Sequence, residues 1–269
     1  MSAQLSELRT YFQQITHTTD DSNIAGTTYE LQLLNKAYEK TAYKYNWPQT
    51  LKRFADVIIA YVDRYALQSD FRKFLFIYQQ GNLIEDTDAK YILNSYGLYT
   101  VFHDSSEYTL STQPTSASTP FTMSGSYSAG AAVEITLDTV TGLAVGDEIF
   151  INDGASSEFT RIQAINSTTL TITCKIRYNH SADVLYRVQD LIYFQYQKTV
   201  TALATSTDVP VTPSETHLII PHYAAYLYYK DIEEPDKAQS HLDIWTNETD
   251  EAWLAFGKNS AGAVGQFSL

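Results

Sequence analysis

Residues 212–245 read TPSETHLIIPHYAAYLYYKDIEEPDKAQSHLDIW, and this segment sets the architecture predicted for the chain. It opens with a helix-start signal, because Thr212 is a capping residue, Pro213 suits the first helical position and Glu215 lies three residues after the cap. The acidic sequence Glu-Glu-Pro at 233–235 then turns the chain. Since two helices with so short a connection pack antiparallel, the segment predicts a helical hairpin.

The apolar residues of this hairpin recur at helical spacing. The pattern continues through Phe256, and Gly257 is expected to end the second helix. The residues predicted to pack the two helices together are Ile220, Ala224, Leu227, Leu242 and Trp245.

The N-terminal part of the chain also predicts two helices. In the first, with Ser2 as its cap, apolar residues at 5, 8, 12 and 15 lie on one face. The second begins with a capping box at Thr27 and Glu30 and ends before Trp47-Pro48, because a residue that precedes proline avoids the helical region. We expect the helices at the two ends of the chain to close on each other.

Residues 51–110 are rich in β-branched and aromatic side chains. Their composition favours short strands near 55–61, 63–67 and 72–79, with a turn at 68–70, although a helix is also compatible with it.

A small β-unit is predicted in the middle of the chain. Residues 111–132 shift to Ser, Thr, Gly, Ala and Pro, which is typical of a linker or loop. Residues 133–138 and 170–176 alternate apolar and polar side chains, and turn signals such as Gly146-Asp147 separate the alternating runs. This spacing predicts a barrel or sandwich over 120–188.

The predicted fold class is therefore α+β. A helical host domain, formed by residues 1–119 and 189–269, would combine the N-terminal helices, the C-terminal hairpin and a small sheet. The all-β unit at 120–188 would be inserted into this host.

Composition limits the function classes. The 269 residues carry a net charge of -13, which repels nucleic acid and argues against general DNA binding. The single cysteine, Cys174, excludes an intrachain disulfide and lies on an alternating apolar face, so we expect an inert core thiol. Neither a signal peptide nor an apolar run long enough for a membrane helix is expected.

We find no motif of a known catalytic site, and we predict no catalytic residue, metal ligand or cofactor. His217 and His222 are five residues apart, so a helix would place them on different sides. An acidic group in the β-unit could bind Ca²⁺ but lacks EF-hand spacing, so solvated turn residues are the preferred interpretation. This group comprises Asp147, Glu148, Asn152, Asp153 and Glu158.

Charge is distributed unevenly. Lys36, Lys40 and Lys44 form a basic stripe on the second predicted helix, whereas the C-terminal hairpin is strongly acidic. The stripe is either a solvated helix face or a contact for an acidic partner. Opposite charges at opposite ends of a chain suit head-to-tail contacts between copies, and such contacts can close into a ring.

Residues 207–245 resemble the C-terminal helical hairpin of the head-to-tail adaptor proteins of tailed bacteriophages. In that family an Asp-x-Pro segment leads into a helix that ends in tyrosines, and an acidic turn and a second helix follow. The residues that fit are Asp208, Pro210, Pro213, Glu215, Ala224, Ala225, Tyr228 and Tyr229. Residues 65–81 are similar to another adaptor segment, more loosely, because Gln68 stands where a proline is common.

The β-unit resembles a small module that recurs in phage structural proteins. The likeness is carried by TGLAVGDEIFI at 141–151, INSTTLTIT at 165–173 and YNHSADV at 178–184. Together the resemblances cover about half of the chain.

The resemblance implies a virion structural protein of the phage neck, assembled in the host cytoplasm. Its copies would form a ring, commonly of twelve, that binds the portal protein, meets a tail or other neck protein and lets DNA pass without binding it specifically. The residues expected to dock on the portal are Leu254, Phe256, Val264, Phe267 and Leu269.

Three alternatives remain open. The first is another tail or decoration component of a virion. The second is a β-module that binds glycan or a host surface through Tyr127, Phe150, Phe159, Tyr178 and Tyr186. The third is a hydrolase that uses His180 and nearby acids, although no nucleophile–base pair can be named for it.

Overall fold

The structure is a computed structural model. It describes residues 2–79, 82–86, 100–103, 107–110, 114, 116–181 and 183–260. The chain divides into two compact units: a helical unit of residues 1–51 and 198–269, and a β-rich unit of residues 52–197. The α+β class predicted from the sequence is confirmed.

Four α-helices are present in the described part of the helical unit. They are α1 (Leu5–Thr16), α2 (Thr28–Lys44), α3 (Ile220–Asp231) and α4 (Pro235–Ser260). The first three bury aliphatic, alanine and aromatic side chains against one another, and α4 adds Ala238 to this core. The helices from the two ends of the chain therefore share one core, as the apolar spacing predicted.

The helix boundaries correct three predictions. Gln4, not Ser2, caps α1, because its side chain and that of Glu7 form a reciprocal capping box. The Pro213 signal opens a 3₁₀ segment at Ser214–Ile219, and α3 begins only after it. Gly257 does not end α4, whose backbone continues to Ser260. The predicted start of α2 is correct, since the Thr27 hydroxyl accepts the backbone N–H of Glu30.

The described residues form fifteen strands. In chain order they are β1 (Leu51–Asp56), β2 (Arg64–Ala66), β3 (Phe71–Gln79), β4 (Asn82–Asp86), β5 (Thr100–His103), β6 (Glu107–Leu110), β7 (Phe121–Thr122), β8 (Ser126–Tyr127), β9 (Gly130–Thr136), β10 (Glu148–Asn152), β11 (Glu158–Asn166), β12 (Thr171–Ile176), β13 (His180–Ser181), β14 (Val184–Arg187) and β15 (Ile192–Lys198).

Seven of these strands form the larger sheet, in the order β1-β15-β3-β4-β5-β6-β2. Strand β15 lies between β1 and β3, so the chain returns to this sheet after passing through the inserted region. The predicted strand at 55–61 was wrong in position: β1 begins at Leu51 and ends at Asp56, and Ile58 reaches the core from a loop. The strands predicted near 63–67 and 72–79 correspond to β2 and β3.

A six-stranded sheet, in the order β7-β14-β10-β11-β12-β9, and the short pair β13-β8 lie between β6 and β15 in the sequence. Every pairing within them is antiparallel. Three of these strands, β7 to β9, begin inside the stretch predicted to be a linker. The prediction missed them because the Ser- and Gly-rich composition of this stretch is typical of loops.

An arginine joins the two sheets within the β-rich unit. The guanidinium of Arg53, on β1, lies 4.7 Å from the Phe159 ring and 5.0 Å from the Tyr193 ring, and donates to Glu148 over 2.7 Å. A small apolar cluster around Phe150 accompanies this contact. The six-stranded sheet is therefore part of a larger compact unit, and the domain boundary at 120–188 stays a prediction.

Among the helices of the described ranges, none combines the length and apolar character that a membrane span requires.

Candidate functional site

The unequal lengths of the hairpin helices create the candidate site. Helix α3 has 12 residues and α4 has 26. At 1.5 Å per residue, α4 is about 20 Å longer. Its C-terminal half therefore extends past α3 and needs other partners.

The end of α2 holds this extension in place. The Lys44 ammonium donates to Asp250 and to the Thr246 carbonyl, and the Tyr45 hydroxyl donates to Asp250 over 2.7 Å. The Tyr45 ring stacks on Trp253 with 4.9 Å between centroids. These contacts fix the direction in which the last turns of α4 point.

The extension and the 3₁₀ segment at Ser214–Ile219 border a groove of about 430 Å³, which we call the terminal groove. It is lined by Pro213, Glu215, Leu218, Ile219, Glu248, Glu251, Ala252, Ala255 and Phe256. Leu218, which lines the groove, is 54% exposed, and Leu254 of α4 is 61% exposed. Large apolar side chains at this exposure, next to a groove, are typical of an interaction surface.

Acidic residues surround the terminal groove. Glu215, Glu248 and Glu251 are exposed and line it, and no lysine or arginine is among the lining side chains that the structure describes. Partial burial raises the pKa of the Glu248 carboxyl, and the neighbouring Glu251 raises it further. A ligand that carries positive charge beside apolar side chains would match this groove.

The predicted basic stripe is divided. Lys36 and Lys40 are exposed on α2, but Lys44 is half-buried, pairs with Asp250 and lies 4.5 Å from the Trp245 ring. The acidic partner of Lys44 is thus in its own chain, because α2 and α4 pack together. Two lysines of the stripe remain available for an external partner.

The residues predicted to pack the hairpin lie at or near the helical core. Ile220 and Ala224 are fully buried, Leu227 is partly buried against the same core, Leu242 is half-buried, and Trp245 is buried. The Trp245 indole N–H also donates to the Thr41 hydroxyl over 2.9 Å, a contact between α4 and α2 that the sequence did not indicate.

The predicted portal-docking residues fall into two groups. Leu254 is exposed, and Phe256 lines the terminal groove. Val264, Phe267 and Leu269 lie outside the described residues.

The two histidines considered as a metal pair are separated. His217 accepts the Ala3 backbone N–H over 3.0 Å and donates to the Thr212 carbonyl over 2.9 Å, so both ring nitrogens are satisfied. His222 instead faces His241 of α4, with 3.0 Å between the Nδ1 atoms. Burial, followed by the neighbouring His241, lowers the pKa of His222 to about 4. The predicted hairpin could have suggested the pairing of His222 with His241, because the two residues lie on its two antiparallel helices.

The acidic residues considered for Ca²⁺ do not form one cluster. Asp147 accepts the Ala144 N–H in a turn, Glu148 pairs with Arg53, and Asn152 is exposed. Glu158 is buried, which corrects its interpretation as a solvated turn residue. It lies next to His180, as does Asp153.

The aromatic residues proposed for glycan binding are mostly used inside the fold. Phe150 and Tyr186 are buried, Phe159 packs under Arg53, and the Tyr127 hydroxyl donates to the Ser124 carbonyl. Tyr178 alone among these five is classed as exposed. Cys174 lies fully buried in the six-stranded sheet, where burial raises its thiol pKa to about 11.

Comparisons with protein-family models and with curated proteins identify no relative of this chain. No protein-family model matches the chain, and a search of curated proteins finds no significant similarity.

Proposed function

We propose that this chain is a ring-forming adaptor of a bacteriophage neck, which connects the portal to the tail and continues the DNA channel. The proposal rests on the resemblance of residues 207–245 to the adaptor hairpin and on the terminal groove at the end of that hairpin. It assigns binding surfaces to the chain and no catalytic residue.

The terminal groove is the observation that carries the proposal. A hairpin that served only to close a core would not need a second helix longer by 14 residues than the first. Here the additional turns are held by the end of α2, carry the exposed Leu254 and form one wall of an acid-rimmed apolar groove. Such a surface suits repeated contact with a neighbouring subunit.

Charge provides the second argument. The exposed Lys36 and Lys40 lie on a different surface from the acidic groove, which Glu248 and Glu251 line. A contact between two different surfaces is heterologous, so each copy can bind the next and the series can close into a ring. We propose that the α2 lysines of one copy face the terminal groove of its neighbour.

The net charge of -13 suits the proposed channel. DNA that passes through a ring must not be held by it, and an acidic surface prevents tight phosphate contacts.

The decisive experiment is negative-stain imaging of the purified protein, alone and mixed with the portal protein of the same virus. A coaxial ring on the portal is expected. A protein that stays monomeric with the portal would contradict the proposal, and an elongated or trimeric particle would favour another virion component.

Charge reversal locates the contact. Glu251→Lys should prevent ring formation, whereas Asp243→Lys, an equal change at an exposed position of the same helix, should not. Adding Lys40→Glu to the Glu251→Lys chain should restore the ring, because the two charges exchange places across the interface. If Glu251→Lys and Asp243→Lys both form rings as the wild type does, the terminal groove is not the contact between subunits.

A further inference from the structure

A buried histidine in the β-rich unit is surrounded by carboxylates. His180, on β13, is 2% exposed. Its Nε2 lies 2.9 Å from Glu158 Oε1, and its Nδ1 lies 3.2 Å from Asp153 Oδ2 and 3.4 Å from Asp183 Oδ2. Within the described ranges, His180 is the ion-pair partner of all three carboxylates, and no lysine or arginine pairs with them.

The surrounding backbone holds two of these carboxylates in position. Glu158, at the start of β11, accepts the backbone N–H of Arg177 over 2.9 Å and of Tyr178 over 3.2 Å. Asp183 accepts the Ser181 N–H over 3.0 Å. Glu158 is therefore already committed as an acceptor, and a neutral His180 would donate to it from Nε2.

This assignment leaves Nδ1 with a lone pair. A neutral imidazole has one N–H and one acceptor nitrogen, and the groups that face Nδ1 are two carboxylates, which can only accept when ionised. Three acceptors would then converge on one point, and among the described residues the Ser181 N–H, which Asp183 accepts, is the one donor that reaches any of them. Either a second proton or a bound cation must lie between Nδ1, Asp153 and Asp183.

We propose that His180 Nδ1, Asp153 and Asp183 bind a divalent transition metal ion. The three donor atoms lie within 4.8 Å of one another. With metal–ligand bonds of about 2.0–2.2 Å, two donors on one ion lie roughly 3.0–3.5 Å apart. The two distances from Nδ1 fall in this range, so a small inward movement of the carboxylates completes the set.

The donor chemistry selects the class of ion. Imidazole nitrogen favours Zn²⁺ and its neighbours in the first transition row, while Ca²⁺ and Mg²⁺ prefer sets made of oxygen alone. The hydrogen bond from Nε2 to Glu158 is the arrangement that orients a metal-bound histidine and increases its basicity. Three protein ligands leave a further position for water.

The metal would join parts of the β-rich unit that are distant in sequence. Asp153 follows β10, whereas His180 lies on β13 and Asp183 directly precedes β14. An ion at this point fixes the β10–β11 connection to the β13–β14 connection. This inference is independent of the proposed ring.

The test uses the full-length chain after treatment with a chelator. Zn²⁺ is titrated by calorimetry, and Co²⁺ is followed by its visible absorption. We expect one site in the wild type, a loss of affinity of at least about tenfold in Asp183→Asn and Asp153→Asn, and a 10–100-fold loss in Glu158→Gln.

Two control variants should bind as the wild type does. Asp147→Asn removes a carboxylate elsewhere in the same unit, and His241→Gln removes the helical histidine pair as an alternative site. Circular dichroism identifies any variant that fails to fold. If Asp183→Asn does not fold, Asp153→Asn still tests the ligand set, because Asp153 is half-exposed and its substitution disturbs the fold less.

Either of two results overturns the proposal. The first is that folded Asp183→Asn and Asp153→Asn bind both ions as tightly as the wild type. The second is that the wild type binds neither ion and ¹⁵N chemical shifts show two protonated nitrogens on His180, because a proton then occupies the position assigned to the metal.

Discussion

The two sheets of the β-rich unit have cores of different chemistry. The seven-stranded sheet buries mainly aromatic side chains, among them Tyr65, Phe74, Tyr108, Phe194 and Tyr196. The six-stranded sheet buries a nearly aliphatic set, namely Phe121, Met123, Ile135, Leu137, Val140, Ile149, Ile151, Ile162, Ile172, Cys174, Ile176 and Leu185. Both cores exclude water, but only the aromatic one introduces hydroxyl groups that need partners.

Carboxylates meet that need. Tyr108 donates to Asp56 over 2.5 Å, and Tyr196 donates to Asp70 over 2.6 Å. Burial raises the pKa of Asp56 to about 6, although the hydrogen bond from Tyr108 acts in the opposite direction. The comparison teaches that the aromatic core should respond to pH and to lost hydrogen bonds, whereas the aliphatic core should respond to lost volume.

The largest expected effect is a cavity in the aliphatic core. Ile172 is fully buried and lies between Ile135 and Ile165 on the neighbouring strands. Ile172→Ala should lower the free energy of unfolding by about 2–5 kcal/mol. Hydrogen exchange resolved to residues 171–176 measures this loss locally. Tryptophan fluorescence would not, because Trp47, Trp245 and Trp253 all lie in the helical unit.

Val145→Ala is the matched control for this cavity, since Val145 belongs to the same region and is 63% exposed. Its effect should stay within about 0.5 kcal/mol. Equal protection from hydrogen exchange in Ile172→Ala and Val145→Ala would mean that lost side-chain volume does not limit the stability of the aliphatic core.

The next effect is a pH dependence that belongs to the aromatic core. Because the pKa of Asp56 is raised from 3.8 to about 6, its contribution to stability is present below pH 3.8 and is lost as the pH rises through 6. This rise in the pKa of Asp56 corresponds to roughly 3 kcal/mol of folding free energy. Asp56→Asn keeps an acceptor for Tyr108 and should be more stable than the wild type at neutral pH.

Denaturant unfolding of both proteins across this pH interval measures the effect. The difference between wild type and Asp56→Asn isolates Asp56 from the other carboxylates that titrate there. A difference that does not change with pH would show that Asp56 is not desolvated.

A smaller loss is expected from Tyr108→Phe. The change leaves the Asp56 carboxylate without its hydroxyl donor and should cost about 1–3 kcal/mol above pH 6, where Asp56 is charged. Below that pH the cost should decrease. Tyr178→Phe, at a tyrosine with 47% exposure, is the control and should leave the denaturation midpoint unchanged.

The smallest effect concerns Cys174. Cys174→Ala removes one buried atom from the aliphatic core and should cost about 1 kcal/mol. In the wild type, burial raises the thiol pKa to about 11, so a thiol reagent should react only when the sheet opens. Rapid labelling of the folded protein would contradict the burial on which this comparison depends.

The spacing of apolar residues predicted which helices and strands form better than it predicted where they begin and end. The helical spacing of Leu5, Leu8 and Phe12 corresponds to a buried face. The alternation predicted at 170–176 is buried from Ile172 onward, but Leu170 is exposed and precedes β12. Capping failed where a side chain outside the usual set acted as the cap, as Gln4 does. The apolar run near 55–61 was misplaced because composition does not show which backbone groups pair.

The histidine cluster was not predictable in the same way. Asp153, Glu158 and His180 come together only because distant strands pair and the intervening turns bring their ends together. The available signal was His180 three residues before Asp183. The terminal groove likewise depends on α4 continuing beyond the hairpin, which its apolar spacing indicated as far as Phe256.

The position of β15 between β1 and β3 has a consequence for synthesis on the ribosome. The six-stranded sheet is contiguous, from Phe121 to Arg187, and can close as soon as it emerges. The seven-stranded sheet must wait for Ile192, and the helical core must wait for α3. Until then the first hundred residues expose unpaired strand edges and apolar helix faces. The nascent chain thus matures from its middle outward, and the residues from Ile192 onward complete both units.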